Sequence, residues 1–199
     1  MTQSEIDFFD RLASSWDANE VRSTPERVRS ILGKILIGEG MEVLDLGTGT
    51  GVLLPYLSKI VGPSGRVMGI DLSEGMLSLA RKKYGELGNV ALEKLDFEVD
   101  LIPGVYDVVM LYSVYPHLHS PIETMERLFK LNLKPGGIIV IAFPSDEKFI
   151  NAIHHERKSE SGHLLAACEL AKEIESYGLS AEVLADTSDE YIIIVRGKS

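Results

Sequence analysis

A run of glycines alternating with threonines carries the clearest chemical signal in this chain. Residues 43–51 read Val-Leu-Asp-Leu-Gly-Thr-Gly-Thr-Gly, so the glycines are Gly47, Gly49 and Gly51. Glycine has no Cβ and tolerates a positive φ, so such a loop lets the backbone approach a bound molecule closely. The loop joins a short apolar strand to a helix whose first N–H groups lack helical partners. The segment therefore predicts a ligand-binding loop.

Two acidic residues near the loop indicate the kind of ligand. Asp45 lies just before the glycines, and Asp71 follows Gly51 by twenty residues, at the end of a second apolar strand. An acid in the second position can accept hydrogen bonds from both hydroxyls of a ribose. A carboxylate before the loop disfavours a pyrophosphate and suits a cationic ammonium group. The ligand predicted here is a nucleoside that carries such a group.

A nicotinamide dinucleotide fits this spacing poorly. The dinucleotide fingerprint needs a glycine or alanine three residues after its second glycine. Counting from Gly49, that position is Val52, and the third glycine comes one place early, at Gly51. A branched side chain at Val52 would obstruct the close packing that the fingerprint requires. A nicotinamide-dependent dehydrogenase is therefore the less favoured alternative.

Strands and helices alternate along most of the chain, which positions these residues at strand ends. The pattern predicts an α/β fold: a doubly wound, mostly parallel seven-stranded Rossmann-like sheet with helices on both faces. The last two strands read as a hairpin, so one antiparallel strand should lie near the edge. Ser73 is expected to cap a helix, and residues 134–137 to form a turn. The predicted strands are 41–46, 67–70, 90–95, 106–112, 138–143, 181–184 and 191–195, and the helices 5–14, 24–37, 52–61, 74–84, 121–131 and 163–177.

Composition narrows the functional class. The 199 residues carry 30 acidic and 20 basic side chains, a net charge of −10 that disfavours a nucleic-acid partner. There is no apolar run of about 20 residues for a membrane span, and no secretory signal is expected. The single cysteine, Cys168, excludes an internal disulfide and is expected to be a small buried side chain. These features favour a cytoplasmic protein and leave a homodimer open.

Together the motifs resemble the class I S-adenosylmethionine-dependent methyltransferases. Residues 8–17 (FFDRLASSWD) are similar to the N-terminal FDRLAxxYD segment of the type 11 and ubiquinone/menaquinone-biosynthesis-like branches, with Trp16 where tyrosine is usual. Residues 106–109 and 133–137 match the family's fourth- and fifth-strand motifs. The resemblance covers residues 8–144 well.

This resemblance implies a single domain over residues 1–199 with S-adenosylmethionine as its cofactor. The helices of residues 1–37 would cover the cofactor site, and the polar segment 145–162 is interpreted as a substrate lid. Asp96 would accept a hydrogen bond from the adenine amino group while Phe97 packs on the ring. The implied cofactor residues are Asp45, Gly47, Thr48, Gly49 and Gly51 for the methionine part, Asp71 for the ribose, Leu72, Met76, Asp96 and Phe97 for the adenine, and Trp16, Leu111 and Tyr112 for the rest of the pocket.

Methyl transfer from a sulfonium is an in-line displacement that depends mainly on positioning, which can supply up to ~7–11 kcal/mol of the barrier. A general base is needed only when the acceptor loses a proton. His117 is the first candidate because it follows the strand nearest the reacting methyl group, and Tyr115 could orient the acceptor. No metal is expected, because the histidine pairs lack a helical i, i+4 spacing.

The acceptor itself is not identified by the sequence. The Asn-Pro-Pro-Tyr motif of enzymes that methylate planar nitrogens is absent after the fourth strand, where residues 111–114 read Leu-Tyr-Ser-Val. Oxygen, carbon, sulfur and other nitrogen atoms stay open, and a small molecule is favoured over a macromolecule. The alternative is a non-catalytic S-adenosylmethionine-binding sensor or interaction subunit.

Overall fold

One sheet organises the residues that the structure describes. The structure is a computed structural model and describes residues 3–19, 22–156 and 162–197. The strands are β1 (Glu42–Leu46), β2 (Arg66–Asp71), β3 (Val90–Lys94), β4 (Tyr106–Tyr112), β5 (Leu133–Phe143), β6 (Ser180–Asp186) and β7 (Tyr191–Arg196). The helices are α1 (Gln3–Asn19), α2 (Pro25–Gly33), α3 (Leu54–Val61), α4 (Glu74–Tyr84), α5 (Pro121–Leu131), α6 (Glu147–Glu156) and α7 (Ala167–Ser176), with a 3-10 turn at Tyr115–His117.

The pairing of the strands confirms the predicted fold class. The order across the sheet is β3-β2-β1-β4-β5-β7-β6, and β1 to β5 pair in parallel. Strand β7 is antiparallel to both of its neighbours, so it is the reversed strand near the edge. The chain moves outward from β1 in both directions, which makes the carboxyl end of β1 the switch point where open α/β sheets bind ligands.

Two apolar cores lie on opposite faces of the sheet, because successive residues of a strand point to opposite sides. In β5, Ile139, Ile141 and Phe143 belong to one core, and Val140 and Ala142 to the other. Helices α5 and α7 cover the first core, while α2 and α3 cover the second. The central strands are thus held from both faces and form a rigid base for the loops at their ends.

Polar caps begin two of the helices. Ser73 accepts a hydrogen bond from the Met76 N–H at 3.1 Å at the start of α4, which confirms the predicted cap. Thr24 does the same for α2, accepting from the Arg27 N–H at 3.4 Å, and Pro25 fills the first helical position. The starts of α2 and α4 are therefore fixed by local hydrogen bonds as well as by packing.

Helix α2 is shorter than predicted. The prediction extended it to residue 37, but it ends at Gly33. The N–H groups of Lys34 and Ile35 bond to carbonyls only three residues back, at Ile31 and Leu32, which tightens the last turn and ends the helix.

Residues 134–137 lie within β5, and the predicted turn is an irregularity of that strand. The register between β4 and β5 shifts after the pairing of Tyr106 with Leu133 and resumes where Val108 meets Ile138. Gly136 has a φ of 82°, which lets the intervening residues loop outward without ending the strand.

The segment 145–162, interpreted as a substrate lid, contains helix α6, and its residues 157–161 lie outside the described residues. The helix predicted over 163–177 begins only at Ala167, because the Asn151 side chain bonds both the N–H and the carbonyl of Leu164, at 2.9 and 2.8 Å. These bonds hold residue 164 outside α7. Cys168 is exposed, contrary to the prediction, because the buried stripe of α7 runs through Ala167, Leu170 and other residues three or four apart and Cys168 lies on another face.

In the described parts of the chain, no helix combines the length and the apolar character that crossing a membrane requires.

Candidate active site

The glycine loop folds over the end of β2. The N–H groups of Gly47 and Thr48 both donate to the Ile70 carbonyl, at 2.8 and 3.0 Å. The φ angles of Gly47, Gly49 and Gly51 are 68°, 56° and 87°, values that side-chain-bearing residues rarely adopt. The loop therefore depends on glycine at each of these positions.

The surroundings of the three glycines differ. A Cβ on Gly47 would lie 2.3 Å from Val114 Cγ2, and a Cβ on Gly51 would lie 2.7 Å from Leu54 Cδ1. A Cβ on Gly49 would meet no heavy atom of the described residues within 4 Å, its chain neighbours aside. Gly47 and Gly51 are thus required by protein packing, whereas Gly49 borders open space that a ligand could fill.

Asp45 is a buried carboxyl below this loop. Its side chain is 2 % exposed, and it accepts a hydrogen bond from the Thr48 hydroxyl at 2.7 Å. Burial raises the pKa of Asp45 to about 7, and the charge of nearby Asp71 adds to the rise. A buried carboxyl with one hydrogen bond is well suited to pair with a cation that enters the site.

Asp71 joins the glycine loop to the loop after β2. Its Oδ2 accepts from the Gly49 N–H and its Oδ1 from the Ser73 N–H, both at 2.8 Å. Burial raises the pKa of Asp71, and the backbone N–H groups of Ser73, Gly49 and Leu72 oppose that rise. Each carboxylate oxygen has two lone pairs, so both oxygens retain acceptor capacity for a pair of hydroxyl groups.

The two apolar residues predicted to lie beside an adenine follow Asp71 directly. Leu72 is partly exposed, and Met76 is 2 % exposed in the first turn of α4. Both residues lie at the carboxyl edge of the sheet, after β2.

The loop after β3 is held from below by α5. Asp96 accepts from the Glu98 N–H at 3.0 Å, and its own N–H donates to Asp100 Oδ2 at 2.8 Å. The Arg127 guanidinium donates to the carbonyls of Phe97 and Asp100. The Phe97 ring is 3 % exposed and belongs to the core on the α5 side, so its stacking on a ligand stays a prediction.

The end of β4 brings Leu111 and Tyr112 to the same edge. Leu111 belongs to one core and Tyr112 to the other, and the Tyr112 hydroxyl donates to Ser23 Oγ at 3.1 Å, ahead of α2. The next residue, Ser113, is the one described non-glycine residue with a positive φ, at 59°. Such strained conformations concentrate at binding sites. Here the positive φ turns the chain from the end of β4 toward the 3-10 turn.

The two predicted catalytic residues lie in different environments. Tyr115 is 7 % exposed within the core that α7 covers, and burial raises the pKa of its hydroxyl above the ordinary value. At neutral pH Tyr115 is therefore neutral, and any role of it in the reaction stays a prediction. His117 faces α1 and α6 instead, where it contacts other aromatic rings.

An aromatic cluster that the sequence did not reveal surrounds His117. Its ring lies 5.5 Å from the Phe9 ring of α1 and 5.2 Å from the His154 ring of α6, measured between centroids. Phe9 in turn packs on Trp16 at 5.4 Å. Trp16 stands out in the FFDRLASSWD motif because tyrosine is usual there, but nothing local in the sequence indicated that Phe9 and His154 would both contact His117.

Two further contacts of the N-terminal segment were also missed. The Asp10 carboxylate accepts hydrogen bonds from the Gly75 N–H and the Ser73 hydroxyl at the start of α4. The Arg22 guanidinium lies 4.0 Å from the centre of the Phe149 ring in α6, a cation–π contact. Both contacts link the segment before β1 to loops at the carboxyl edge of the sheet.

For metals, the described residues hold no group of three His, Cys, Asp or Glu side chains arranged to bind an ion.

Comparison with known proteins identifies the family. A family profile described as a methyltransferase domain matches residues 37–190, which is most of the chain. The chain belongs to the class I S-adenosylmethionine-dependent methyltransferases. This confirms the resemblance seen in the motifs, and with it the cofactor, S-adenosylmethionine.

Relatives with known names span several activities. The chain is 36% identical over 104 residues to a demethylmenaquinone methyltransferase of Lactococcus lactis, covering 51% of this chain and 41% of that protein. It is 33% identical over 142 residues to the nocamycin O-methyltransferase of Saccharothrix syringae, covering 68% and 49%. The chain thus spans less than half the length of these two relatives. A solved S-adenosylmethionine-dependent methyltransferase of Aquifex aeolicus matches with a TM-score of 0.70 and 26% identity, covering 98% of both chains.

Proposed function

We propose that this protein transfers a methyl group from S-adenosylmethionine to a small-molecule acceptor. The observation that carries the proposal is the open space at Gly49, whose N–H donates to Asp71, together with the buried Asp45 carboxyl on the strand that leads into the loop. When bound, the cofactor supplies a methyl group on a sulfonium whose positive charge disperses as the methyl passes in line to the acceptor. In this proposal residues 1–199 act as one methyltransferase domain, with residues 1–37 over the cofactor and 145–162 over the acceptor.

The cofactor site fits the residues present. Asp71 can accept from both ribose hydroxyls with the lone pairs left by its backbone donors. Asp45 can pair with the amino group of the methionine part, which would favour its ionised form. Gly49 lets the backbone come close to this part of the ligand, because no side chain intervenes. Leu72, Met76, Asp96 and Phe97 then serve the adenine, with Trp16, Leu111 and Tyr112 along the remaining wall.

The acceptor end is aromatic. Phe9, His117 and His154 present ring surfaces that suit a planar or apolar small molecule and help to exclude water from the reacting atoms. The net charge of −10 argues against a nucleic-acid acceptor. The names of the two curated relatives, a demethylmenaquinone and a nocamycin methyltransferase, also support a small-molecule acceptor.

His117 is the proposed general base for an acceptor that loses a proton. It lies on the 3-10 turn after β4, next to the aromatic cluster, and an imidazole nitrogen is a common general base in enzymes. A hydroxyl or acidic carbon would need this help, whereas an amine already carrying a lone pair would not.

The test combines methyl transfer with a variant pair. Purified protein is incubated with methyl-labelled S-adenosylmethionine and a panel of hydroxynaphthoquinones, catechols, thiols and amines, and the labelled products are identified by mass spectrometry. With a hydroxyl acceptor, His117→Gln should lower kcat at pH 7 by about 10²–10⁴-fold. The loss should shrink at high pH, where the acceptor ionises unaided.

The matched control is His163→Gln, because His163 is an exposed histidine before α7 and outside the proposed acceptor segment. It should retain the wild-type rate. Binding of S-adenosylhomocysteine without turnover of any panel member would contradict the proposal and favour a non-catalytic sensor or interaction subunit.

A further inference from the structure

Helix α1 contacts segments on both sides of the strand that leads into the glycine loop. Two adjacent residues of the helix contact opposite sides of the site: Phe9 packs on His117, after β4, and Asp10 bonds to the residues after β2. Strand β1 lies between β2 and β4 in the sheet. The helix therefore spans the carboxyl end of β1, where the loop begins.

The Asp10 carboxylate attaches α1 to the first turn of α4. One oxygen, Oδ1, accepts from the Gly75 N–H at 2.9 Å and also from the Ser73 hydroxyl. These bonds hold the pKa of Asp10 below its usual value, so the group is ionised at neutral pH. A carboxylate at the N-terminus of a helix is further favoured by the helix dipole.

Gly75 permits this close approach. A Cβ at Gly75 would lie 3.0 Å from Asp10 Oδ1 and 3.2 Å from both the Cα and the carbonyl oxygen of Asp10. Two of these atoms belong to the backbone of α1, so an added methyl group would push the helix away. The contact is thus shaped on both sides, by a carboxylate on α1 and by the lack of a side chain on α4.

Ser73 links the Asp10 contact to the cofactor site. Its N–H donates to Asp71 Oδ1, and its hydroxyl donates to Asp10. A ligand that holds Asp71 in place therefore also holds Ser73, and through Ser73 it favours the hydrogen bond to Asp10.

We propose that Asp10 is a positioning residue that holds α1 closed over the cofactor, so that closure of α1 and binding of the ribose at Asp71 favour each other. The proposal rests on the cofactor role of Asp71 given above. It makes the N-terminal helix part of the binding site, because the same helix carries Phe9 to the acceptor end and Trp16 to the wall of the cofactor pocket. Coupling of this kind is reciprocal: ligand binding must tighten α1 as much as α1 tightens the ligand.

Trp16 is the single tryptophan of the chain and lies on α1, so its fluorescence reports the position of this helix. Acrylamide quenching is measured with and without S-adenosylhomocysteine, and the dissociation constant by calorimetry. Asp10→Ala should raise the quenching constant about twofold in the unliganded protein and weaken S-adenosylhomocysteine binding about tenfold. Asp10→Asn retains an oxygen that accepts both hydrogen bonds, so it should stay within about threefold of wild type in both measurements.

Two more variants separate this role from general destabilisation. Gly75→Ala should reproduce both effects of Asp10→Ala from the opposite side of the contact without changing charge. Asp186→Ala, an exposed aspartate on the edge strand β6, is the matched control and should change neither measurement.

Unchanged Trp16 quenching in both Asp10→Ala and Gly75→Ala would overturn the proposal. Raised quenching with an unchanged dissociation constant would also overturn it, because the coupling would be absent. If wild-type protein binds no S-adenosylhomocysteine, the proposed function fails, whereas the quenching of the unliganded variants still tests the contact of Asp10. Should Asp10→Ala fail to fold, Gly75→Ala and the rescue by Asp10→Asn carry the same test.

Discussion

At the scale of single residues, Asp45 is the group whose protonation the fold controls most directly. It is buried next to the Thr48 hydroxyl, and burial raises its pKa to about 7 from an ordinary 3.8. A carboxyl whose pKa is raised by folding stabilises the protein most below about pH 4. That contribution is lost as the pH rises to about 7, because the unfolded chain ionises first.

This gives a prediction for cofactor binding. The ionised form of Asp45 is the one that pairs with an ammonium group, so affinity for S-adenosylhomocysteine should rise about tenfold between pH 6 and pH 8. Calorimetry across this range measures the rise. Asp45→Asn should abolish it while keeping the hydrogen bond from Thr48, and a pH dependence that persists in this variant would exclude Asp45 as its source.

The glycine loop gives a second prediction from the different surroundings of Gly47 and Gly49. Gly49→Ala adds a methyl group to open space at a positive φ, so unfolding free energy should fall by only about 1–2 kcal/mol. S-adenosylhomocysteine binding should weaken at least tenfold, because the methyl group occupies ligand space.

Gly47→Ala is the contrasting variant. Its Cβ would meet Val114 at 2.3 Å, so overpacking of about 1–3 kcal/mol adds to the backbone strain. Denaturant titration of the two variants compares these losses. A larger stability loss for Gly49→Ala than for Gly47→Ala would contradict the assignment of the open space to a ligand.

At the scale of elements, the attachment of α6 depends on one side chain. Asn151 bonds the N–H and the carbonyl of Leu164, which fixes α6 against the segment before α7. Sequence patterns predicted a polar lid here because no apolar residue of α6 is buried, so its periodicity carries little signal. The helix is held by contacts with distant segments, including the Arg22 contact with Phe149.

Replacing this side chain should loosen α6 selectively. Asn151→Ala removes both bonds to Leu164, so the Leu164 amide should exchange with deuterium at least tenfold faster, corresponding to about 1.4 kcal/mol of lost local protection. Amides in β4 should keep their wild-type rates. Asn151→Asp retains the acceptor for the Leu164 N–H and should show a smaller effect; equal exchange in all three proteins would refute the role of Asn151.

At the scale of the whole molecule, ligand binding should raise the stability of the fold. The size of this rise should distinguish a site for S-adenosylhomocysteine from a site for NADH. S-adenosylhomocysteine at 100 times its dissociation constant should add about 2.7 kcal/mol of stability. For a domain of this size that is a rise in Tm of roughly 5–10 °C. NADH at the same concentration should leave Tm unchanged, and a comparable rise with NADH would revive the dehydrogenase alternative.

Much of this architecture could be predicted because its signals are local. The alternation of apolar runs and helical patterns predicted the seven strands and the reversed one, and Ser73 predicted the start of α4. The predictions failed where the apolar pattern does not specify the backbone hydrogen bonding or the buried face: at the end of α2, at the irregular start of β5, and at the exposed Cys168 of α7.

The sequence by itself determined the family, the cofactor and the fold class, because glycine spacing, strand-end acids and turn motifs are properties of contiguous residues. Only the tertiary structure decided which distant side chains meet above the glycine loop. Asp10 reaches Ser73 across 63 positions of the chain, and His154 reaches His117 from a different element. No local pattern encodes such contacts, since they arise only when the parallel strands bring their carboxyl ends to one edge of the sheet.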